Sequence, residues 1–381
     1  MLVNYIGVLN LNEEEGNLKS LTVNRPLASV IIFGRYRVID FILSNLVNAG
    51  VKTVGIFGQT HSRSLVDHLG TGKPWDLNRK NGGLFIFNYS LENPPISDAK
   101  LLKNNMEFFY RSSGDHIILA SSRMIYKIDF NEVARYHEEM GNDITVLYKK
   151  VNDSEGRFLN CDVLNLDKGN EVLSVGRLLG LNASVNISME TFILKKELLI
   201  DFIYRAIEKS KYNSFKECIY DSLDKLKVRA YEYKGYLSFI NSVRSYYLTS
   251  MDILDLRVRR ELFFEKGKIY TKTNDSPPTK YYEGCEVENS LISNGCLIKG
   301  RVKNSIISRG VEIKEGAVVE DSIVFSNCII EKGTFLKNVI LDKNVIIEEG
   351  KRLIGDKKFP VVIEKGEIVE NLLRKAGEIK R

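Results

Sequence analysis

The chain has 381 residues, of which 44% are apolar and 27% are charged, and its formal net charge is +6. These proportions are those of a soluble globular protein with room for about two domains. Basic residues are interspersed with acidic ones, which argues against a nucleic-acid partner, and the apolar run at residues 28–33 is far too short to span a membrane.

Cysteine usage points to a reducing compartment. The five cysteines are an odd number without a CxxC pair, so we expect free structural thiols and no metal site. No lysine or arginine precedes Lys19, so the start lacks the basic region of a signal peptide. We therefore expect a cytoplasmic protein.

Apolar strand candidates alternate with helical patterns over residues 1–150. The predicted strands are Leu2–Val8, Val51–Phe57, Gly83–Ile86, His116–Ala120 and Asp143–Lys149. Apolar residues recur with helical spacing before Gly50, and Asn131–Met140 is a second predicted helix. This alternation predicts an α/β, Rossmann-like domain with a mostly parallel sheet and helices on both faces.

The following stretch continues this first domain. Residues 151–180 predict short strands and turns, and Tyr231–Gly235 predicts a last strand. Amphipathic patterns predict helices at Lys195–Lys209, Ser214–Leu226 and Ser242–Asp255. We place the end of the domain at residue 265.

A repeated unit distinguishes the second domain, residues 266–381. Its repeats start at Asn289, Asn304, Asp321 and Asn338, which lie 15, 17 and 17 residues apart. Three short strands and their turns need about this length, so the repeat predicts a left-handed parallel β-helix. The tail from Gly366 predicts one short helix, and the open ends of the β-helix are expected to pack on the first domain or on another subunit.

The turn after the first strand lacks the glycines of a phosphate-binding loop. Glu13, Glu14 and Glu15 stand where backbone N–H groups would approach a phosphate. Two unit charges about 4 Å apart interact by roughly 4 kcal/mol at an effective dielectric constant of 20. Carboxylates at this place should therefore repel a nucleotide.

Two long runs carry a resemblance to a known family. Residues 36–45 read YRVIDFILSN, and residues 59–75 read QTHSRSLVDHLGTGKPW. They resemble the glucose-1-phosphate adenylyltransferase (ADP-glucose pyrophosphorylase) family, which makes ADP-glucose and diphosphate from ATP and glucose 1-phosphate. The resemblance implies a nucleotidyltransferase domain followed by a left-handed β-helix, and the departures from the family pattern point to its GlgD-type subunit.

The residues that this family uses for catalysis are replaced in this chain. The resemblance places the lysine of the KPA motif at Leu27, two magnesium aspartates at Arg123 and Phe239, the sugar lysine at Leu178, and the aspartate of the FGKD motif at Cys218. A guanidinium and a phenyl ring offer no oxygen to Mg²⁺. We therefore expect a degenerate site without catalytic residues, bound metal or bound cofactor.

Two arginines match positions that line an effector site in this family. The resemblance implies that Arg25 and Arg37 bind a small anion, either a sugar phosphate or a nucleotide. Two ordinary surface or interface arginines are the alternative.

These observations favour a non-catalytic, regulatory subunit of glucose-1-phosphate adenylyltransferase in glycogen synthesis. The resemblance implies assembly with a catalytic homologue, expected as a heterotetramer, in which ATP and Mg²⁺ bind the partner. No nucleic-acid or membrane partner is expected. Two other functions remain open: an active sugar-phosphate nucleotidyltransferase with a rebuilt site, and a stand-alone sensor of sugar phosphates or nucleotides.

Overall fold

The computed structural model describes residues 1–12, 15–58, 62–88, 97–180, 182–209 and 215–370. The chain divides into two compact units. The first unit comprises Met1–Glu14, Val38–Phe239 and Glu261–Thr271, and the second comprises Glu15–Arg37, Ile240–Arg260 and Lys272–Arg381. Within the described ranges, no helix is both long and apolar enough to cross a membrane.

Ten α-helices lie in the described part of the chain. They are α1 (Lys19–Thr22), α2 (Val38–Asn48), α3 (Arg63–Leu69), α4 (Asp98–Asn104), α5 (Met106–Arg111), α6 (Phe130–Glu139), α7 (Lys196–Lys209), α8 (Phe215–Tyr220), α9 (Val243–Asp252) and α10 (Leu256–Phe264). Short 3₁₀ helices lie at Gly16–Leu18, Leu27–Ser29 and Lys73–Trp75.

The strands before the repeat region number thirteen over the described residues. They are β1 (Tyr5–Asn10), β2 (Ile31–Ile32), β3 (Tyr36–Arg37), β4 (Thr53–Gly58), β5 (Gly83–Asn88), β6 (His116–Ala120), β7 (Met124–Tyr126), β8 (Ile144–Asp153), β9 (Asp162–Leu166), β10 (Val172–Arg177), β11 (Asn182–Lys195), β12 (Val228–Glu232) and β13 (Leu237–Phe239).

A nine-stranded sheet forms the centre of the first unit. Its main path runs β10-β9-β11-β6-β1-β4-β5, while β8 pairs with β11 and β12. Strands β6, β1, β4 and β5 are mutually parallel, whereas β11 runs antiparallel to β6, β8 and β9. Sequence reasoning did not identify β11, which makes the sheet mixed.

Helices cover both faces of this sheet. Ile6 and Val8 of β1 belong to a buried cluster with residues of α4, α5, α7 and α8. Successive side chains of a strand point to opposite faces, and the intervening Gly7 is approached by Leu46 of α2, since an added Cβ would lie 2.8 Å from Leu46 Cδ1. The α/β layers predicted for this region are therefore present, and β7 and β13 form a separate two-stranded ribbon.

Sixteen short strands build the β-helix in the second unit. They are β14 (Lys280–Tyr281), β15 (Glu286–Glu288), β16 (Leu291–Ile292), β17 (Leu297–Ile298), β18 (Arg301–Lys303), β19 (Ile306–Ile307), β20 (Glu312–Ile313), β21 (Val318–Glu320), β22 (Ile323–Val324), β23 (Ile329–Ile330), β24 (Phe335–Lys337), β25 (Val339–Leu341), β26 (Ile346–Ile347), β27 (Arg352–Ile354), β28 (Val361–Ile363) and β29 (Ile368–Val369).

These strands stack in three parallel sheets, each taking one strand from every coil. Buried Ile, Val and Leu side chains fill the space inside. The predicted repeat starts mark one corner, because Asn289, Asn304, Asp321 and Asn338 all have positive φ angles of 41–51°. Asn and Asp tolerate the left-handed backbone that this corner requires.

The described part of the tail forms a strand where the sequence predicted a helix. Ile368–Val369 continues the β-helix as β29 instead of beginning a helix, because the preceding coil offers it a parallel partner strand. The rest of the predicted tail helix, residues 371–381, lies outside the described residues.

The division into units differs from a single boundary at residue 265. Two segments that lie earlier in the sequence belong to the second unit, where hydrogen bonds attach them to its strands and coils. Tyr246 donates its hydroxyl to Ile31 O at 2.6 Å, and Tyr247 donates to Asp321 O at 2.6 Å. The second unit is therefore assembled from three separate stretches of sequence. A single boundary placed where the repeat region begins does not detect the two earlier stretches.

Candidate functional site

Two positions that the resemblance assigns to magnesium aspartates meet in the first unit. Arg123 lies three residues beyond the end of β6, and Phe239 ends β13, which pairs antiparallel with β7. The Arg123 guanidinium carbon lies 4.9 Å from the centroid of the Phe239 ring. The structure thus brings the two substituted positions together as a cation–π contact.

Glu190 of β11 also binds Arg123. Arg123 Nε donates to Glu190 Oε2 at 2.8 Å, and Arg123 Nη2 donates to Glu190 Oε1. This two-point geometry is the strongest form of a guanidinium–carboxylate pair. Arg123 is thereby satisfied within its own unit.

Lys216 and Asp162 extend this pair. Lys216 Nζ lies 2.8 Å from Glu190 Oε1 and 2.7 Å from Asp162 Oδ2. Asp162 also accepts a hydrogen bond of 3.3 Å from Tyr220. We call Arg123, Asp162, Glu190 and Lys216 the Arg123 cluster; its two cations and two anions balance.

The pKa values in the Arg123 cluster show that its charges stabilise one another. Burial alone would raise the pKa of Glu190, but the charges and hydrogen bonds of Arg123 and Lys216 outweigh it and lower that pKa to about 2. Burial would lower the pKa of Lys216, but Glu190 and Asp162 raise it. Glu190 and Lys216 are therefore both charged at neutral pH.

A magnesium ion, which the resemblance implies for the family, does not fit this arrangement. Mg²⁺ requires oxygen ligands in near-octahedral geometry, whereas Arg123 brings a positive charge and Phe239 a hydrocarbon ring. Both carboxylate oxygens of Glu190 already accept hydrogen bonds. No group of three or more His, Cys, Asp or Glu side chains in the described ranges is placed to hold a metal ion.

The two remaining substituted positions of the first unit are buried. Leu178 is 3% exposed, and its backbone N–H donates to Cys161 O at 2.9 Å. Cys218 of α8 is also 3% exposed and belongs to the main hydrophobic cluster. Neither side chain can contact a sugar phosphate.

A cavity of about 690 Å³ opens beside the Arg123 cluster, between β10 and α8. Acidic side chains outnumber basic ones in its lining, so it disfavours a phosphate group. The charged lining residues are Asp162, Glu171, Arg177, Lys216, Glu217, Asp221 and Asp224.

The segment in place of the phosphate loop is described in part. Glu13 and Glu14 lie outside the described residues, whereas Glu15 Oε1 accepts a hydrogen bond of 2.6 Å from Leu27 N in the second unit. Burial raises the pKa of Glu15, against the opposing effect of that hydrogen bond. Leu27 itself is buried at 1% exposure. An apolar side chain therefore occupies the position of the KPA lysine.

The two predicted effector arginines lie in the second unit with different surroundings. Arg25 is buried, donates from Nε to Leu21 O at 3.0 Å, and forms an ion pair with Asp342. Arg37 is half-buried and donates to Ser29 O at 2.6 Å. Arg25 is thus held by a carboxylate of the β-helix.

Lys343 joins these residues and was missed by sequence reasoning. Burial lowers its pKa to about 8, and the positive charges of Arg37 and Arg25 add to that effect. We call Arg25, Arg37, Asp342 and Lys343 the Lys343 cluster. No local signal connects Arg25 with Asp342, because 317 positions separate them.

Glu190 and Asp162 were likewise not identified from the sequence. The nearest signal is Glu190 as the single charged residue in the run METFIL of β11, residues 189–194. A lone acidic residue in a strand is common at a solvated edge. Without knowledge that Arg123 and Lys216 lie nearby, this residue does not indicate a charge cluster.

Comparisons with known proteins agree with this architecture. Residues 16–157 match the nucleotidyl transferase family model, and residues 277–359 match the GlmU-like C-terminal hexapeptide model. The predicted fold, a nucleotidyltransferase domain followed by a left-handed β-helix, is confirmed.

Individual relatives resemble most of the chain. The glycogen biosynthesis protein GlgD of Bacillus subtilis is 34% identical over 82% of this chain and 81% of its own length. GlgD of Geobacillus stearothermophilus is 36% identical over 82% of both chains. Glucose-1-phosphate adenylyltransferase of Mycoplasma mobile is 31% identical over 80% of this chain and 81% of its own.

Proposed function

The chain belongs to the family of the glycogen biosynthesis protein GlgD and the glucose-1-phosphate adenylyltransferases, and from this premise we propose that it is a non-catalytic, regulatory subunit of glucose-1-phosphate adenylyltransferase. The catalytic partner would convert ATP and glucose 1-phosphate to ADP-glucose and diphosphate. This chain would change the partner's rate, substrate affinity or response to effectors.

The pairing of Arg123 with Glu190 above Phe239 carries this proposal. Adenylyl transfer needs positive charge and metal-bound oxygens around a triphosphate. The Arg123 cluster offers no net charge, and its cations already have carboxylate partners. A triphosphate with its Mg²⁺ would have to break these partly buried ion pairs to enter.

Regulation would act through assembly with a catalytic homologue. A subunit that binds one conformation of its partner better than another shifts the partner's equilibrium towards the conformation it prefers. We propose a heterotetramer, in which Mg²⁺ and ATP bind only the catalytic subunits. The cytoplasm suits this role, because the described cysteines are free thiols and four of the five are buried.

Assays with and without the partner test this function. Alone, the chain should form no ADP-glucose from ATP, Mg²⁺ and glucose 1-phosphate. With the catalytic homologue, it should co-elute as a larger species and alter the kinetics. A mixture in which the partner lacks its own metal aspartate is the control, and it should be inactive because every turnover belongs to the partner.

Two results would exclude the proposal. Turnover by the isolated chain would favour an active nucleotidyltransferase with a rebuilt site. Failure to associate with the catalytic homologue would favour a stand-alone sensor.

The Lys343 cluster supports a second role, in which the subunit binds a small anionic effector. Arg25, Arg37 and Lys343 bring three basic side chains near one another, because burial and the charges of Arg37 and Arg25 lower the pKa of Lys343. The phosphate of a sugar phosphate or a nucleotide would be attracted to these grouped positive charges. Titration with a hexose bisphosphate, AMP and inorganic phosphate tests this role, and Lys343→Met should weaken the binding of any that associates.

A further inference from the structure

We propose that Glu190 is the positioning residue of a closed charge cluster that takes the place of a metal site, so that Arg123 and Lys216 act as permanent internal cations. The site then keeps its arrangement whether or not metal and nucleotide are present. This inference rests on the proposed function, because a catalytic subunit would need the same space for substrate.

The carboxylate of Glu190 links Arg123 to Lys216 within the Arg123 cluster. Oε2 accepts from Arg123 Nε at 2.8 Å, while Oε1 accepts from both Arg123 Nη2 and Lys216 Nζ. The Glu190 side chain is 6% exposed. A divalent cation would have to displace two fixed cations from these oxygens and push its own charge against them.

The backbone at Glu190 indicates that this position is held by its contacts. Its φ angle is +47°, in the left-handed region that residues other than glycine rarely adopt. The pairing of β11 with β8 is irregular between Ser188 and Phe192, around this residue. Bulges re-aim a side chain, and a strained conformation persists only where its surroundings hold it. The contacts to Arg123 and Lys216 supply that constraint.

The ring of Phe239 packs against the guanidinium of Arg123. Its ring is 2% exposed and lies 4.9 Å from the guanidinium carbon. β13 holds it in register opposite Met124, next to Arg123 in sequence. A guanidinium between a carboxylate and an aromatic ring has its polar edge and its flat face both satisfied. The two substituted positions therefore form one contact.

Thermal unfolding of the full chain tests the role of Glu190. Glu190→Gln should lower Tm by roughly 10 °C, because it leaves two partly buried cations short of a carboxylate. Adding Arg123→Gln should then lower Tm by much less than it does alone, since the double variant removes both charges of the pair. Glu107→Gln, which breaks an exposed pair with Arg111, is the matched control and should change Tm by less than about 2 °C.

Glu190→Gly separates backbone strain from charge. Glycine adopts a positive φ without strain, so the relief of strain opposes the loss of the carboxylate. A variant more stable than the unaltered chain would show that the carboxylate contributes less than the strain costs, and it would overturn the proposal. Additive effects of Arg123→Gln and Glu190→Gln would overturn it as well.

Added metal distinguishes a closed cluster from ordinary packing. MnCl₂, MgCl₂ or EDTA, each with and without ATP, should leave the Tm of the unaltered chain within about 1 °C. Arg123→Asp would place a third carboxylate beside Glu190 and Asp162, so Mn²⁺ should raise the Tm of that variant and give a bound-Mn²⁺ signal in electron paramagnetic resonance. A metal response of the unaltered chain, or none from Arg123→Asp, would contradict the proposal. Neither result reports association with a partner, so the two failures can be told apart.

Discussion

The Arg123 cluster of the first unit and the Lys343 cluster of the second unit each contain an ion pair with a buried carboxylate, yet their charges are arranged differently. Arg123 and Lys216 pair with Glu190 and Asp162, whereas Asp342 pairs with Arg25, and the charges of Arg25 and Arg37 act on Lys343. Charges that are satisfied internally leave nothing for a ligand to neutralise, and charges in excess favour a counter-ion. The comparison teaches that the pairing of positive with negative charges in a cluster, more than its number of basic residues, indicates whether the cluster binds an anion.

The largest effect is expected where the Lys343 cluster loses its carboxylate. Asp342→Asn should reduce the free energy of unfolding by about 3–5 kcal/mol, because the buried Arg25 is left without its partner. Urea unfolding measures this loss, and added phosphate should restore part of it. Asp67→Asn, at an exposed pair with Arg63, serves as the control and should change little. A loss that phosphate leaves unaltered would show that the cluster does not bind anions.

Acid should destabilise the first unit through Glu190. The folded pKa of this residue, about 2, lies below its ordinary value of 4.5. A lowered carboxyl pKa contributes stability above the unfolded pKa, and that stability is lost as the pH falls from about 4.5 to about 2. The shift corresponds to roughly 3 kcal/mol.

Unfolding free energies measured from pH 6 down to pH 2 check this prediction. At pH 6, the free energy of unfolding of Glu190→Gln should be lower than that of the unaltered chain. Below pH 4.5, it should not show the loss of stability that comes from protonation of Glu190. If the free energies of unfolding of the two proteins fell in parallel with pH, the stability of the Arg123 cluster would not depend on the charge of Glu190.

Anion binding at the Lys343 cluster should depend on pH in the alkaline range. Burial lowers the pKa of Lys343 to about 8, so its charge is lost as the pH rises through that value. Affinity for a hexose bisphosphate should fall about tenfold between pH 7 and pH 9. Calorimetry with Lys343→Arg should show no such fall, because arginine stays charged, and an identical pH profile for both proteins would rule out Lys343 as a ligand.

The smallest effect is expected for the aromatic face of the Arg123 cluster. Phe239→Leu keeps an apolar side chain but removes the ring 4.9 Å from the guanidinium. The free energy of unfolding should fall by about 1–2 kcal/mol. If Arg123→Gln/Phe239→Leu were destabilised by the full sum of the two single losses, the contact between the two residues would carry no energy.

The sequence predicted the β-helix well because its contacts are nearly local. Each coil packs on its neighbours, so the requirement for a left-handed corner recurs every 15–17 residues and places Asn or Asp there. The first strands and helices of the α/β layer were also predicted, since their apolar periodicity is strong. Strand β11 was missed because its alternation is interrupted by the irregular pairing at Ser188–Phe192.

The substituted positions follow from the sequence, but their consequences do not. Arg123 and Phe239 are read directly from two matched runs, and their contact depends on the pairing of β13 with β7 across more than a hundred residues. Hydrogen bonds join Glu190 to Arg123 over 67 positions and to Lys216 over 26. A linear pattern does not encode which cation a buried carboxylate will meet.

By itself, the sequence predicted that other residues replace the catalytic ones at the positions that the resemblance implies, and that residues 266–381 wind into coils, because both depend on residue identity at fixed positions or at a short repeat. Tertiary structure alone decided that Glu190 neutralises Arg123 and that Asp342 captures Arg25. The reason is that the strength of a charge pair depends on distance and burial, and both are set only when the folded chain brings remote segments together.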